Sequence, residues 1–378
     1  PWETYCVGGW VRDCLLGRQR HKVDIDFVLP GESIATAKQI ARKYRAPFVL
    51  LDREREIARV VLPQGNLDFA KQVGATLLDD LSQRDFCMNA IAIPVHHPQE
   101  IIDPHQGRAD LQQKLVRMVA PENIAADPLR ILRAYRQAAQ LQFTIEAWTH
   151  QTVKQLAPLL PQVAIERIRM EFTYLLQTDS PWLITCLEDQ IFSPWLPLHK
   201  LCLQRLRCLA SVINAILASY PLQDYFAQEI VHLTLRYAAL VPHASLWDFL
   251  GLSRQEQKWI TTLLRYLPHM LAAENSPLDQ YYLFANVGEI LPALFALARA
   301  DGIPVSKMWL DRWLNPQDPI AHPPTLVTGD DLQQILSIKP GPRLGQLLTA
   351  IREAQIQQIV NNREEALAFA KTWWQNTS

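Results

Sequence analysis

The chain of 378 residues carries 37 Lys and Arg against 38 Asp and Glu, a formal net charge of −1, with 49% of residues apolar and 20% charged. That length exceeds what one hydrophobic core can organise and predicts two to four domains, while the balanced charge excludes a generally basic nucleic-acid coat, so any nucleic-acid surface must be local. There is no low-complexity tract, no secretory signal, no Cys-x-x-Cys pair among Cys6, Cys14, Cys87, Cys186, Cys202 and Cys208, and no apolar run as long as the roughly eighteen residues of a membrane span, which predicts a cytoplasmic protein with buried, reduced thiols and no membrane partner.

Along the chain, Gly8-Gly9 comes first; two adjacent glycines bring backbone N–H groups close to a phosphate. Residues 11–16 predict a helix, and 24–29 a short strand closed by Pro30-Gly31. Residues 33–45 have helical periodicity, with Ser33 as the N-cap. Runs at 48–51, 57–62 and 66–70 read as strands parted by turn or charged residues. A small mixed sheet flanked by helices follows. Beyond residue 110 or so the pattern becomes helical almost throughout. Residues 127–141 predict a helix with Asp127 as N-cap and Pro128 at its first position, and 165–177 another. Prolines at 158, 161, 181, 194 and 197 punctuate further helices, and amphipathic helices continue to Ser378.

Asp24 and Asp26 alternate on one strand, so both carboxylates face the same side and can share a cation; hard oxygen ligands suit Mg²⁺. Asp68, on another strand, is the candidate for a third carboxylate, against the plainer reading of a strand-end acid. Arg12 follows the glycines closely enough to reach a phosphate, with Asp13 as an orienting or capping acid. Arg84 is a candidate for a phosphate and Asn89 for a ribose hydroxyl, the bland alternative being a salt-bridged helix start. Asp127 and Arg130, three apart on a helix, offer one acceptor beside one forked donor. Cytosine and adenine match that edge, whereas uracil and guanine leave buried polar groups unpaired at about 1–3 kcal/mol each. An i,i+3 ion pair is the commoner use of this spacing. Arg133 and Arg136 continue the face in steps of three and read as nucleotide-binding with it. Arg167 is a phosphate candidate, while Glu166 and Glu171 brace neighbouring helices, and the ten histidines read as non-catalytic.

In this order the motifs resemble the class II tRNA nucleotidyltransferases, the CCA-adding and bacterial poly(A) polymerase group of the polymerase β-type superfamily. The resemblance covers the whole chain and rests on Gly8-Gly9-x-x-Arg12-Asp13 with Asp24-x-Asp26, on Arg84-Asp85-Phe86-x-x-Asn89-Ala90, and on Asp103-Pro104-x-x-Gly107-x-x-Asp110-Leu111. It continues in Asp127-Pro128-Leu129-Arg130-x-Leu132-Arg133-Ala134, Glu166-Arg167-Ile168-x-x-Glu171, Gly329-x-Asp331-Leu332 and Pro340-Gly341-Pro342-Arg343-Leu344-Gly345. The resemblance implies an α+β chain: a nucleotidyltransferase head over 1–120, then an all-α neck over 121–200 with the nucleotide-selecting helix, a body over 201–275 and a tRNA-binding tail over 276–378. By that analogy Asp24 and Asp26 bind Mg²⁺, Gly8, Gly9 and Arg12 contact the triphosphate, Arg84 and Asn89 lie near phosphate and ribose, and Asp127 and Arg130 read the base; Asp68 joins Asp24 and Asp26 as a catalytic candidate on the strand reading alone. Arg167 and Arg343 are the candidates for tRNA contact, with Arg352 beside them.

The chain departs from the family in having Gln83 before Arg84 and Ala126 before Asp127, where the family usually has Arg and Glu. Only residues 69–83 separate the Asp68 strand from Arg84, whereas full CCA-adding members carry a longer flexible loop there. That shortening resembles CC-adding members, which work beside a separate A-adding enzyme. The chain therefore reads as a template-independent enzyme adding CC from CTP to the tRNA 3′ end. Full CCA addition with ATP as well, poly(A) polymerase activity and a catalytically silent RNA-binding protein are the alternatives, in that order.

Overall fold

A computed structural model describes residues 3–18, 23–195, 200–240, 251–273 and 276–376. The chain divides into two compact units, Pro1–Pro194 and Trp195–Ser378.

The first unit opens with β1 (Tyr5–Val7), α1 (Gly8–Leu15), β2 (Val23–Leu29), α2 (Ser33–Tyr44), β3 (Phe48–Asp52), β4 (Ile57–Leu62), β5 (Gly65–Lys71), α3 (Leu77–Ser82) and β6 (Ala92–Pro94). The six strands form one sheet in the order β3-β4-β5-β2-β1-β6, parallel only between β2 and β5. This is the small mixed sheet the sequence predicts. Because side chains alternate along a strand, Phe27 and Leu29 of β2 point to one face with Leu67 and Phe69 of β5 and Ala58 and Val60 of β4. There they pack against Ala37 and Ala41 of α2, with the Phe27 and Phe69 rings stacked at 4.9 Å. The alternate positions, Asp24, Asp26, Asn66 and Asp68, are thereby placed on the opposite face.

Two local expectations need correction. Ser33 does not cap α2: Glu32, in the left-handed region at φ 56°, precedes the helix, and the Ser33 hydroxyl donates to the carbonyl of Glu56, tying the helix start to the β3–β4 turn. The helix expected from Asp127 begins at Leu129, with Pro128 flanking it. Asp127 is extended (φ −134°, ψ 91°), yet its Oδ1 still accepts from the Leu129 N–H and its carbonyl from the Arg130 N–H, so it serves the helix end from just outside.

The unit continues through α4 (Gly107–Gln113), β7 (Leu115–Val116), α5 (Pro121–Ala126), α6 (Leu129–Leu141), β8 (Thr144–Ile145), α7 (Ala147–Leu156), α8 (Ile165–Leu176) and α9 (Pro181–Glu188). Helix α6 is central: Ile131, Leu132, Tyr135, Ala138 and Ala139 recur at helical spacing and are buried, and each large apolar side chain so buried contributes about 1.5–3 kcal/mol. Its other stripe carries Arg130, Arg133 and Arg136. Asp189, just after α9, accepts from Tyr135 Oη at 2.7 Å, from Lys154 Nζ at 2.8 Å and lies 2.6 Å from His150 Nε2. His150 thus braces the helices, consistent with its non-catalytic reading.

The second unit is helical in its described residues. Pro277–Ala300 reaches a mean hydropathy of 1.4 and is long enough for a membrane span, contrary to the expectation that no run would be. It is broken at Gly288 (φ 59°) into Pro277–Val287 and Leu291–Ala300, separated by a turn of 3₁₀ helix, and 67% of its most apolar window is buried inside the protein. Its hydropathy is that of a core helix pair. Toward the end, Gly329–Leu336, Pro342–Ile356 and Arg363–Asn376 close around Leu332, Leu347 and Ile351. The thiols also differ from expectation: Cys87, Cys186 and Cys202 are buried, Cys6 and Cys208 half-buried and Cys14 exposed. The proline break expected at Pro197 lies outside the described residues.

Candidate active site

The acidic face is built by register. In the parallel pair β2–β5, Asp24 lies opposite Asn66 and Asp26 opposite Asp68, so the three carboxylates share one side of the sheet. Asp24 Oδ1 accepts from Asn66 Nδ2 at 2.7 Å. Burial raises the Asp26 carboxyl above the usual range; Arg84 opposes this, and Asp68 and Asp24 add to it. Such mutual repulsion among hard oxygen ligands is what a bound divalent cation relieves, and Asp24 and Asp26 are the pair that fits one; among the described residues no cluster of three or more acids, histidines or cysteines is arranged to hold a metal. Asp68 sits where it was expected but not as a free ligand. Arg59 donates Nε and Nη2 to its two oxygens, both at 2.7 Å. Asn66 and Arg59 were missed in the sequence: strand alternation with Asp68 could have flagged Asn66, whereas Arg59 needed the β4–β5 register, Arg59 opposite Asp68.

Gly8 explains why a glycine stands at the end of β1. Val7 pairs with Asp26, so the chain turns into α1 directly beside that carboxylate, with Gly8 at φ 75°. A Cβ there would lie 2.9 Å from Asp26 Oδ2 and 3.6 Å from Arg84 Nη1. Arg84 is thus brought beside the acids. Its Nε and Nη2 are held by Asp80 Oδ2 at 3.2 and 2.8 Å, while Asp80 Oδ1 accepts the Val73 N–H. The link from β5 to α3 is only residues 72–76. Thr76 and Asp79 form a reciprocal capping box, and Gly74, at φ 81°, packs on Asp79.

Four residues expected to contact the nucleotide belong to a largely buried network. Arg12, 7% exposed, donates Nε and Nη2 to Asp13 at 2.9 and 2.7 Å and Nη1 to Asn89 Oδ1 and Gln137 Oε1 at 3.0 and 3.1 Å. Asn89, 5% exposed, donates to Asp85 Oδ1 and Gln137 Oε1. Arg133 pairs with Asp85 at 2.7 Å, and Arg136 pairs with Glu171 and donates to Gln140. The reason is electrostatic: guanidinium groups drawn out of water at this junction take carboxylate and amide partners, which also confirms Glu171 as a brace. Burial alone would raise the Asp85 carboxyl, but Arg133 and hydrogen bonds from Asn89, Arg133 and the Phe86 N–H outweigh it and hold it at about 2. Arg12 and Arg136 do border a cavity with Arg18, Gln140 and Tyr174.

Asp127 and Arg130 do not form the i,i+3 ion pair of the plainer reading. Arg167 Nη2 reaches Asp127 Oδ2 at 3.2 Å, and Arg130 Nη1 donates to the carbonyls of Gln83 at 2.8 Å and Asn123 at 3.2 Å. Arg130 Nε and Nη2 make no hydrogen bond to the described residues, so a donor edge remains. Gln83, where the family usually has Arg, contributes through its backbone, and Ala126 is exposed. Two tail arginines have internal partners. Arg343 stacks on Trp374 at 4.0 Å and donates to its carbonyl, and Arg352 donates to the carbonyls of Pro323 and Pro324, so neither is presented as a free tRNA contact.

Comparison with known proteins decides the family. The poly(A) polymerase head domain matches residues 4–72 and 56–117, the probable RNA- and SrmB-binding site of polymerase A matches 142–202, and a putative tRNA nucleotidyltransferase domain 2 matches 223–370. The CC-adding tRNA nucleotidyltransferase of Synechocystis is 42% identical, covering 98% of this chain and 94% of that one. The chain belongs to the tRNA nucleotidyltransferase family. Other relatives of this nucleotidyltransferase differ in what they add: the A-adding enzyme of Deinococcus radiodurans is 30% identical over 98% of this chain and 95% of its own. The fold is that of the Thermotoga maritima CCA-adding enzyme complexed with tRNA, with a TM-score of 0.76 at 22% identity, covering 98% of this chain and 91% of that one. The α+β head followed by helices is therefore the family's architecture.

Proposed function

We propose that this tRNA nucleotidyltransferase is a CC-adding enzyme: it extends the 3′ end of tRNA with two cytidines from CTP, in the cytoplasm, and leaves the terminal A to a separate enzyme. The observation that carries this reading is the five-residue link from β5 to α3. It is folded into a helix N-terminus by Thr76, Asp79 and Asp80 and leaves no room for the long loop of full CCA-adding members. The 42% identical CC-adding relative supports the same choice.

In this reading the head spans 1–120, the neck 121–200, the body 201–275 and the tail 276–378. Asp24 and Asp26 would hold Mg²⁺, which when bound offsets triphosphate charge and polarises the attacking hydroxyl. Gly8 keeps the space beside Asp26 open to a phosphate, Gly9 does the same beside the Arg12 guanidinium, and Arg84 Nη1 offers that phosphate a donor while Asp80 fixes the rest of its guanidinium. The tRNA 3′-oxygen attacks the α-phosphate of CTP, its proton leaves, the bond to the β-phosphate breaks and pyrophosphate departs. Arg59 holds both oxygens of Asp68 beside the site. The remaining N–H edge of Arg130 meets cytosine acceptors and Asp127 accepts from its amine, so the base is chosen without a template. Arg12, Asn89, Arg133 and Arg136 hold head and neck in the geometry these contacts need.

The test offers each nucleotide alone to tRNA lacking its CCA end. Incorporation of CTP but not ATP, UTP or GTP supports the reading; long A tracts on unrelated RNAs would replace it with poly(A) polymerase.

A further inference from the structure

The chain that delivers Arg84 to the acids leaves helix α3 at Ser82, and three consecutive carbonyls from that helix end onward point to the neck. Ser82 O accepts from Asn123 Nδ2 at 2.8 Å, Gln83 O from Arg130 Nη1 at 2.8 Å, and Arg84 O again from Asn123 Nδ2 at 2.9 Å. Asn123 also offers its own carbonyl to Arg130 Nη1 at 3.2 Å. One half-buried residue of α5 therefore holds both the backbone of the phosphate arm and the guanidinium beside the base reader. Carbonyls left without donors are costly, and an amide with two N–H groups is the side chain that can serve two of them at once.

We propose that Asn123 is a positioning residue for nucleotide selection: it fixes the separation between Arg84 and Arg130, so that gripping the triphosphate and reading the base are one coupled event. The proposal rests on the roles given to Arg84 and Arg130 above. Neither carbonyl bond requires any particular side chain at 83, so the clamp acts through the backbone and is independent of the Gln83 departure. It also predicts a direction. Loss of the clamp lets Arg130 keep its charge but lose its register, so selectivity falls more than turnover.

The experiment compares Asn123→Ala and Asn123→Leu, the second keeping side-chain volume, with Arg130→Ala and the Asn123→Ala/Arg130→Ala pair in the full chain. Steady-state kcat and KM are measured for CTP and UTP, with thermal unfolding alongside. Both Asn123 variants are expected to lower the CTP-to-UTP ratio of kcat/KM by about tenfold, the worth of one or two lost hydrogen bonds, mainly through KM. The double variant should fall little below Arg130→Ala alone, because the two act as a unit. An unchanged ratio in the Asn123 variants while Arg130→Ala loses selection would overturn the clamp and leave the base-reading role standing. A ratio unchanged in Arg130→Ala itself would remove the base reader, and the clamp with it. Loss of cooperative unfolding at the assay temperature in both Asn123 variants would assign the residue to stability and likewise overturn the proposal.

Discussion

At the scale of single residues, the acids on β2 and β5 were legible because strand alternation is a hard geometric rule: Asp24 and Asp26 had to share a face. What the sequence did not disclose was their neighbours. Arg59 reaches Asp68 only because β4 runs antiparallel to β5, and Arg12 is buried against Asn89 and Gln137 only because α1 meets α6. Replacing Asp26 with Ala should abolish nucleotide incorporation and leave tRNA affinity, measured by filter binding, within about threefold; retained turnover would remove Asp26 from the metal site. Gly8→Ala places a Cβ against Asp26 at a positive φ, which should cost roughly 1–3 kcal/mol in stability and raise the KM for CTP. Asp85 gives a pH signature. Its folded pKa of about 2 lies below the unfolded carboxylate value, so its contribution is present above about pH 4 and is lost as pH falls toward 2. In Arg133→Ala the urea midpoint at pH 7 should drop, by an amount equivalent to about 2–4 kcal/mol, because a buried carboxylate loses its partner.

At the scale of elements, helix periodicity and end signals located α2, α6 and α8 to within a few residues. The ends themselves were less legible. Ser33 lost its expected capping role to a bond across to Glu56, a contact more than twenty residues away in the chain that no local rule encodes. The β5–α3 link shows the opposite case, a local rule fully obeyed. Thr76 with Asp79 is a capping box readable from the sequence, and it turns a short connection into a rigid one. Thr76→Ala should lower stability by about 1 kcal/mol and raise amide exchange over residues 72–82, with protection elsewhere unchanged. Faster exchange spread over the whole first unit would mean the link is not an independent element.

At the scale of the whole molecule, the order of motifs identified the family from the sequence, and the described fold and the relatives agree with it. The tail was the least legible part. Arg343 and Arg352 are named there as tRNA contacts with nothing beyond their charge to single them out, and in the fold each pins a neighbouring segment. An isolated arginine in a sequence carries no information about which carbonyl it will meet. The membrane-length hydropathy of Pro277–Ala300 is likewise a property of composition, and only its break at Gly288 and its burial assign it to a core. Specificity, by contrast, is in the proposed function a property of the assembled chain: there the base edge is assigned to Asp127 and Arg130, the phosphate grip to Arg84, and the stopping point to a loop that is short.

The most direct test of that assignment gives the purified protein tRNA already ending in CC, with ATP and Mg²⁺, beside tRNA lacking its whole CCA end with CTP and ATP together, and counts residues added on a sequencing gel. Two cytidines on the second substrate and nothing on the first is the predicted result. Adenosine joined to the CC-ended tRNA would contradict it and make the protein a full CCA-adding enzyme.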